Sequence, residues 1–152
     1  MLKNLLVVLV LLVAVGFIYI YWQNSQVPEL GVNQGKFKPL DNRPNAVSTQ
    51  TTQDSKRVST LTMKQDLSTT KAALLYAIEQ YGGAEIKQQD ADYIYAVFVT
   101  PTMKYRDDAE FWLDEKNKRV HFRSSSRAGY SDRGLNRQRY NALVDFYENY
   151  KP

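Results

Sequence analysis

The sequence predicts an α+β domain: an antiparallel sheet of about four strands with two helices packed on it, preceded by one N-terminal transmembrane helix. Three observations lead there. Leu5 to Trp22 is an unbroken apolar run. Two stretches, 68–81 and 137–150, carry apolar residues at helical spacing. Between them lie four stretches of strand character, two of which alternate in polarity around a short loop.

The apolar run, LLVVLVLLVAVGFIYIYW, is 18 residues long, close to the shortest helix that crosses a hydrocarbon core. Tyr19, Tyr21 and Trp22 crowd its C-terminal end, where amphipathic rings favour the headgroup region. Lys3 and the amino terminus place positive charge before it, and the residues just after it, QNSQ, are uncharged. The charge bias predicts a cytoplasmic stub at 1–4, an anchor at 5–22 and an exported remainder. The expected location is the bacterial inner membrane, single-pass, with the C-terminal domain in the periplasm and the lipid bilayer as partner through Leu5 to Trp22. A cleaved signal peptide would have a shorter apolar region and a small-x-small site, and this run ends in bulky aromatics instead. A buried core helix would show a polar stripe, and none is present.

Residues 23 to about 60 are polar, broken by Pro28, Gly31, Gly35, Pro39 and Pro44, and without helical periodicity. They read as a partly disordered linker, with the segment PNAVST (Pro44 to Thr49) docking on the domain in extended form. The α+β domain itself is expected over 61–152.

Asp66 or Ser68 caps the first domain helix, Leu67, Lys71, Leu74, Leu75, Ile78 and Tyr81 share a face, and Gly82-Gly83 stops it. Glu85 to Gln89 is a short strand, followed by a turn at Asp90-Ala91-Asp92. Tyr93 to Thr100, YIYAVFVT, is apolar on both faces, as a central strand should be, and Pro101 ends it. Asp108 to Asp114 and Arg119 to Ser125 alternate around the loop Glu115–Lys118. That loop pairs Leu113 with Val120, Phe111 with Phe122, Trp112 with His121, Glu110 with Arg123, Asp108 with Ser125 and Asp114 with Arg119. Asn136 is the expected N-cap of the second helix, whose apolar face is Tyr140, Leu143, Val144, Tyr147 and Tyr150.

The chain has no cysteine and one histidine, His121. Disulfides and thiolate metal sites are excluded, and no cofactor is expected. The net charge of +4 is spread thinly, without the dense basic stripe that nucleic acid would need. The most unusual stretch is FRSSSRAGYSDRGLNRQR, Phe122 to Arg139. Arg123, Ser126, Arg127, Gly129, Asp132, Gly134, Arg137 and Arg139 there are candidate ligand-binding residues. Guanidinium forks, hydroxyls, glycines and a helix N-terminus suit an anion. Asn45, Ser48, Asp107, Asp108, Glu110 and Asn136 are the supporting set. The alternative is a lock, with Arg127 or Arg133 paired to Asp107, Asp108 or Asp132. Ser126 with the acidic cluster would serve a hydrolase or metal-dependent enzyme, but no catalytic constellation is complete, so catalytic and metal residues are assigned to none.

The chain resembles the uncharacterised bacterial and plastid family known as domain of unknown function 1499. PNAVST, DDAEF (Asp107 to Phe111) and RSSSRAGYSDRGLNRQR (Arg123 to Arg139) carry the resemblance, which runs from about Lys36 to the C-terminus. It covers Asn45, Ser48, Asp107, Asp108, Glu110, Arg123, Ser126, Arg127, Gly129, Asp132, Gly134, Asn136, Arg137 and Arg139. The family pattern implies cysteines near Leu40 and at Ala46 in many members; this sequence has neither, so no thiol role applies here. The family assigns no activity. The expected function is a membrane-anchored, non-catalytic binding or accessory module for an anionic ligand, a lipid headgroup or an envelope protein. A structural envelope or assembly role is the further alternative.

Overall fold

The computed structural model describes residues 2–152. Helix α1 (Leu2–Ser25) is followed by β1 (Val32–Asn33), β2 (Lys36–Phe37), β3 (Ala46–Ser48), a 3-10 turn (Asp54–Lys56) and β4 (Leu61–Thr62). Helix α2 (Leu67–Tyr81), strands β5 (Ala84–Gln89), β6 (Tyr93–Val99), β7 (Arg106–Asp114) and β8 (Arg119–Ser126), and helix α3 (Leu135–Glu148) complete the chain. The fold is α+β with an antiparallel sheet, as the sequence predicts.

The sheet has six strands rather than about four. β5 to β8 form a meander, and β3 and β4 both pair along the free side of β8. These two additions are three and two residues long, too short to show any alternation. The β7–β8 hairpin has the expected register throughout, including Glu110 opposite Arg123 and Trp112 opposite His121. Asp114 faces Arg119 in register, but its carboxylate accepts from the Asn117 backbone N–H at 3.1 Å and from Asn117 Nδ2 at 2.6 Å instead. β7 also begins earlier than expected. Asp107 and Asp108 are therefore adjacent strand residues on opposite faces.

Both faces of the sheet are covered. α2 and α3 lie on one, over Ile94, Ala96, Phe98, Ala109, Phe111, Leu113, Val120 and Phe122. Ala73, Leu74, Ala77 and Ile78 make the buried face of α2, while Leu67, Leu75 and Tyr81 pack at its margin. Asp66 caps this helix by accepting from the Thr69 N–H at 2.7 Å. Burial of β6 on both sides, from Tyr93 to Phe98, matches its apolar sequence.

The second face is covered by the segment expected as a partly disordered linker. Phe37 is buried there against Tyr93, Tyr95 and Val97, with Leu30, Val32 and Trp112 at the edge. The apolar residues of this segment are isolated, so they make no periodic signal, yet each seats on a different part of the sheet. Its polar groups find fixed partners: Gln50 accepts from Phe37 N at 2.8 Å and donates to Gly35 O at 2.9 Å.

Helix α1 does not end in a loose joint. Asn24 is 1% exposed. Its Nδ2 donates to Lys104 O at 2.8 Å, and its Oδ1 accepts from Arg106 N at 2.8 Å. The amide thus imitates a strand neighbour where β7 begins, and clamps the last turn of α1 to the sheet. Before that clamp, Leu5 to Val13 are all more than half exposed. Among the described residues α1 is the one helix long and apolar enough to cross a membrane.

Helix α3 corrects one expectation. Its cap position is Gly134, at φ 81°, and Asn136 is buried inside the first turn. Asp132 satisfies the free N–H groups: Oδ1 accepts from Gly134 N and Oδ2 from Asn136 N, both at 2.9 Å. Arg139 accordingly lies past the first turn.

Candidate functional site

Successive strand residues point to opposite faces, so β7 and β8 divide the arginine-rich stretch into two sets. On the helical face, Arg139 Nη2 meets Asp107 Oδ2 at 2.6 Å, and Nη1 donates to Asn136 Oδ1 at 2.9 Å. The guanidinium lies 4.7 Å from the centre of the Phe98 ring. Asn136 Nδ2 donates to Asn45 O, Ser126 Oγ and Asp132 Oδ2 at 3.1, 3.1 and 2.8 Å. Ser124 Oγ donates to Asn136 Oδ1, and Asn45 Nδ2 donates to Gly129 O at 3.0 Å. This network seals α3, β3 and the basic loop against the end of the sheet.

On the other face, Arg127 Nε and Nη2 clasp the Asp108 carboxylate at 2.8–3.1 Å. Tyr95 Oη donates to Asp108 Oδ1 at 2.6 Å. The Arg127 guanidinium is held above its ordinary pKa, chiefly by its bonds to Asp108. One ladder step away, Arg123 Nη1 meets Glu110 Oε2 at 3.1 Å and its Nε donates to Lys38 O at 3.0 Å. Glu110 Oε1 also accepts from Tyr93 Oη and from Gly31 N, each at 2.8 Å. Burial is the first cause raising the phenols of Tyr93 and Tyr95, with the neighbouring carboxylate adding to it; Tyr95 is pushed up to about 12.

Among the described residues, Arg123 Nη2 and Arg127 Nη1 carry no hydrogen bond, and neither is sealed from solvent. With Ser125 between them they floor a cavity of about 290 Å³, rimmed by Gln23 and Gln26 at the foot of α1 and by Lys38 and Arg43. Counting Asp41, Asp108 and the Glu110 beneath, four cations face three carboxylates. The arrangement is built to hold two guanidinium forks in fixed directions at a slightly basic surface. The carboxylates below supply rigidity.

Ser126 also lines this cavity, though its hydroxyl is held by Asn136, and the other candidates are not brought to it. Arg137 reaches away to Ser55 O and Arg57 O, at 2.9 and 3.0 Å. Ser48 Oγ accepts from Gln50 N at 3.1 Å. Gly129 and Asp132 line a separate hollow of about 420 Å³ between the basic loop and the β6–β7 turn. Gly134 starts α3. Sequence reasoning missed Asn24, Lys38, Arg43, Tyr93, Tyr95 and Ser125. The tyrosines alternate along β6 and so share a face, a signal present in the sequence; nothing in it ties Asn24 to residues 80 positions away.

Ser126 and His121 lie on opposite faces of β8. His121 stacks on Trp112 at 5.1 Å, and its Nδ1 contacts Thr49 Oγ1 at 3.2 Å. Burial lowers its pKa. Ser126 Oγ is instead held by the Asn136 amide. Among the described residues, no three His, Asp or Glu side chains gather as metal ligands.

Fold and site together define an α+β domain with a paired arginine surface, carried behind an apolar helix. The sequence profile of the family described as protein of unknown function, DUF1499, matches residues 36–146. The chain belongs to this family. No curated protein and no solved structure matches it.

Proposed function

We propose that this protein is a single-pass, membrane-anchored, non-catalytic binding module, and that the cavity over Arg123, Ser125 and Arg127 receives an anionic group at the membrane surface. The carrying observation is the pair of unused guanidinium N–H groups at the foot of an apolar helix. Each arginine is already oriented by a buried carboxylate, so little side-chain freedom remains to be lost on binding. The Asn24 clamp supports a retained helix over a cleaved leader, since removal of the run would take these hydrogen bonds with it.

The test uses the full chain in non-ionic detergent, melted with inorganic phosphate, pyrophosphate or glycerol 3-phosphate. A saturable rise in melting temperature is expected, equivalent to about 2.7 kcal/mol at a hundredfold excess over Kd. Ser125→Leu fills the cavity between the forks and leaves both ion pairs; it should melt normally and lose the rise. No shift with any anion, or an unchanged shift in Ser125→Leu, sinks the reading.

The domain's export to the bacterial periplasm rests on Lys3 before the run and the uncharged QNSQ after it. A phosphatase reporter fused after Pro152 is expected to be active in cells. A silent phosphatase, with an active cytoplasmic reporter at the same position, would reverse the orientation.

A further inference from the structure

A second cavity, of about 510 Å³, lies beside the first. Tyr95, Val97 and Val99, alternate residues of β6, lie at its base, Glu85, Lys87 and Arg106 stand around them, and Arg127 lines both cavities. The short strap that follows α1 runs between them: Gln23 and Gln26 face the basic cavity, while Ser25 and Val27 face the apolar one. Leu30, Val32 and Phe37 cover the neighbouring part of this sheet face, where Val97 is only 2% exposed, and the opening reaches the half-buried Val99. Val27 projects at its rim, 70% exposed. An apolar edge made by exposed Val27 and half-buried Val99, joined through one arginine to an anion-sized basic pocket, is the shape of an amphiphile. Both openings sit at the last turn of α1, whose aromatic end, Tyr19, Tyr21 and Trp22, suits the headgroup layer.

Resting on the proposed anion site, we infer that its ligand is an anionic phospholipid of the bilayer that α1 enters. The phosphate sits between Arg123 and Arg127, and the start of an acyl chain lies along Val99 beneath Val27. Recognition needs both halves. Charge selects the headgroup, and the apolar floor separates a lipid from a free phosphate.

The full chain in non-ionic detergent is titrated with dihexanoyl phosphatidylglycerol below its micelle-forming concentration. Glycerol 3-phosphate and dihexanoyl phosphatidylcholine are run in parallel. The expected result is binding of the anionic lipid at least tenfold tighter than glycerol 3-phosphate, with weaker binding of the choline lipid. Val27 is exposed and carries no part of the core, so the uncharged Val27→Asn should fold normally. It should remove the lipid's advantage and leave glycerol 3-phosphate binding unchanged. In nanodiscs, adding phosphatidylglycerol to phosphatidylcholine should raise the melting temperature of the parent and not of Ser125→Leu. Equal affinity for lipid and glycerol 3-phosphate overturns the acyl half and leaves the anion site standing. Binding of none of the anions overturns both. Binding in detergent without protection in nanodiscs overturns the bilayer as the source.

Discussion

Arg139→Ala should destabilise the domain by about 3–5 kcal/mol, the usual cost of leaving one member of a buried ion pair alone. Asp107 is 1% exposed and Arg139 2% exposed, so water cannot replace the lost guanidinium. The substitution also removes the cation from over Phe98 and takes one bond from Asn136. Adding Asp107→Ala to the same chain should recover part of the loss, because the stranded charge is then gone. Chemical denaturation of the full chain and the two single and one double variants measures the coupling directly. Additive losses without recovery would show that Arg139 acts by filling space, not by neutralising Asp107. Losses below about 1 kcal/mol would place the pair in the class of exposed bridges, against its burial.

The second large effect is alkaline unfolding between pH 10 and about 12. Burial pushes the phenols of Tyr95, Tyr140 and Tyr147 up to about 12, and raises that of Tyr93 too. An unfolded tyrosine ionises at 10.0. Below that value these groups are neutral in both states and their contribution is fully present. Above it the unfolded chain loses protons that the folded chain retains, so stability falls as pH rises through about 12. The hydroxyls are also structural donors: Tyr140 to Ser59 O, Tyr147 to Thr62 O at 2.8 Å, and Tyr93 and Tyr95 to carboxylates. Circular dichroism and the last part of the tyrosinate absorbance, which comes from these four phenols, should change together in one cooperative step. Gradual ionisation of all eleven tyrosines near pH 10, with the dichroism unchanged, would refute it.

What the sequence revealed and what it hid follow one physical division. Wherever neighbours in the chain become neighbours in space, the residues announce it. Alternation on both arms of the hairpin, with Glu110 facing Arg123, allowed one register. The two-sided burial of β6 was equally plain from YIYAVFV. Contacts between distant segments left no local trace. β3 and β4 reach β8 across roughly half the chain, and Gln50 or Asn24 looks like any other polar residue until its partner appears. Capping preference pointed to Asn136, because asparagine is a common cap. The competing carboxylate of Asp132, four residues earlier, took the exposed role and freed Asn136 for the interior. In the arginine-rich stretch the register set Arg123 beside Glu110, but the division of Arg127 and Arg139 between the faces was not legible. That division follows from β7 starting at Arg106, two residues before the alternation becomes legible.

Asn24 gives α1 a phase. A helix advances about 100° per residue, so a clamp at its last turn ties the domain's compass bearing to the side of α1 that faces any partner packed along it. One residue inserted between Trp22 and Asn24 would swing the arginine surface by more than a quarter turn around the helix axis. Seven inserted residues, about two turns, would bring it back to nearly the same heading and lift it about 10 Å. The apolar helix therefore acts as an indexed shaft, and its length sets the direction in which the domain looks as well as its height.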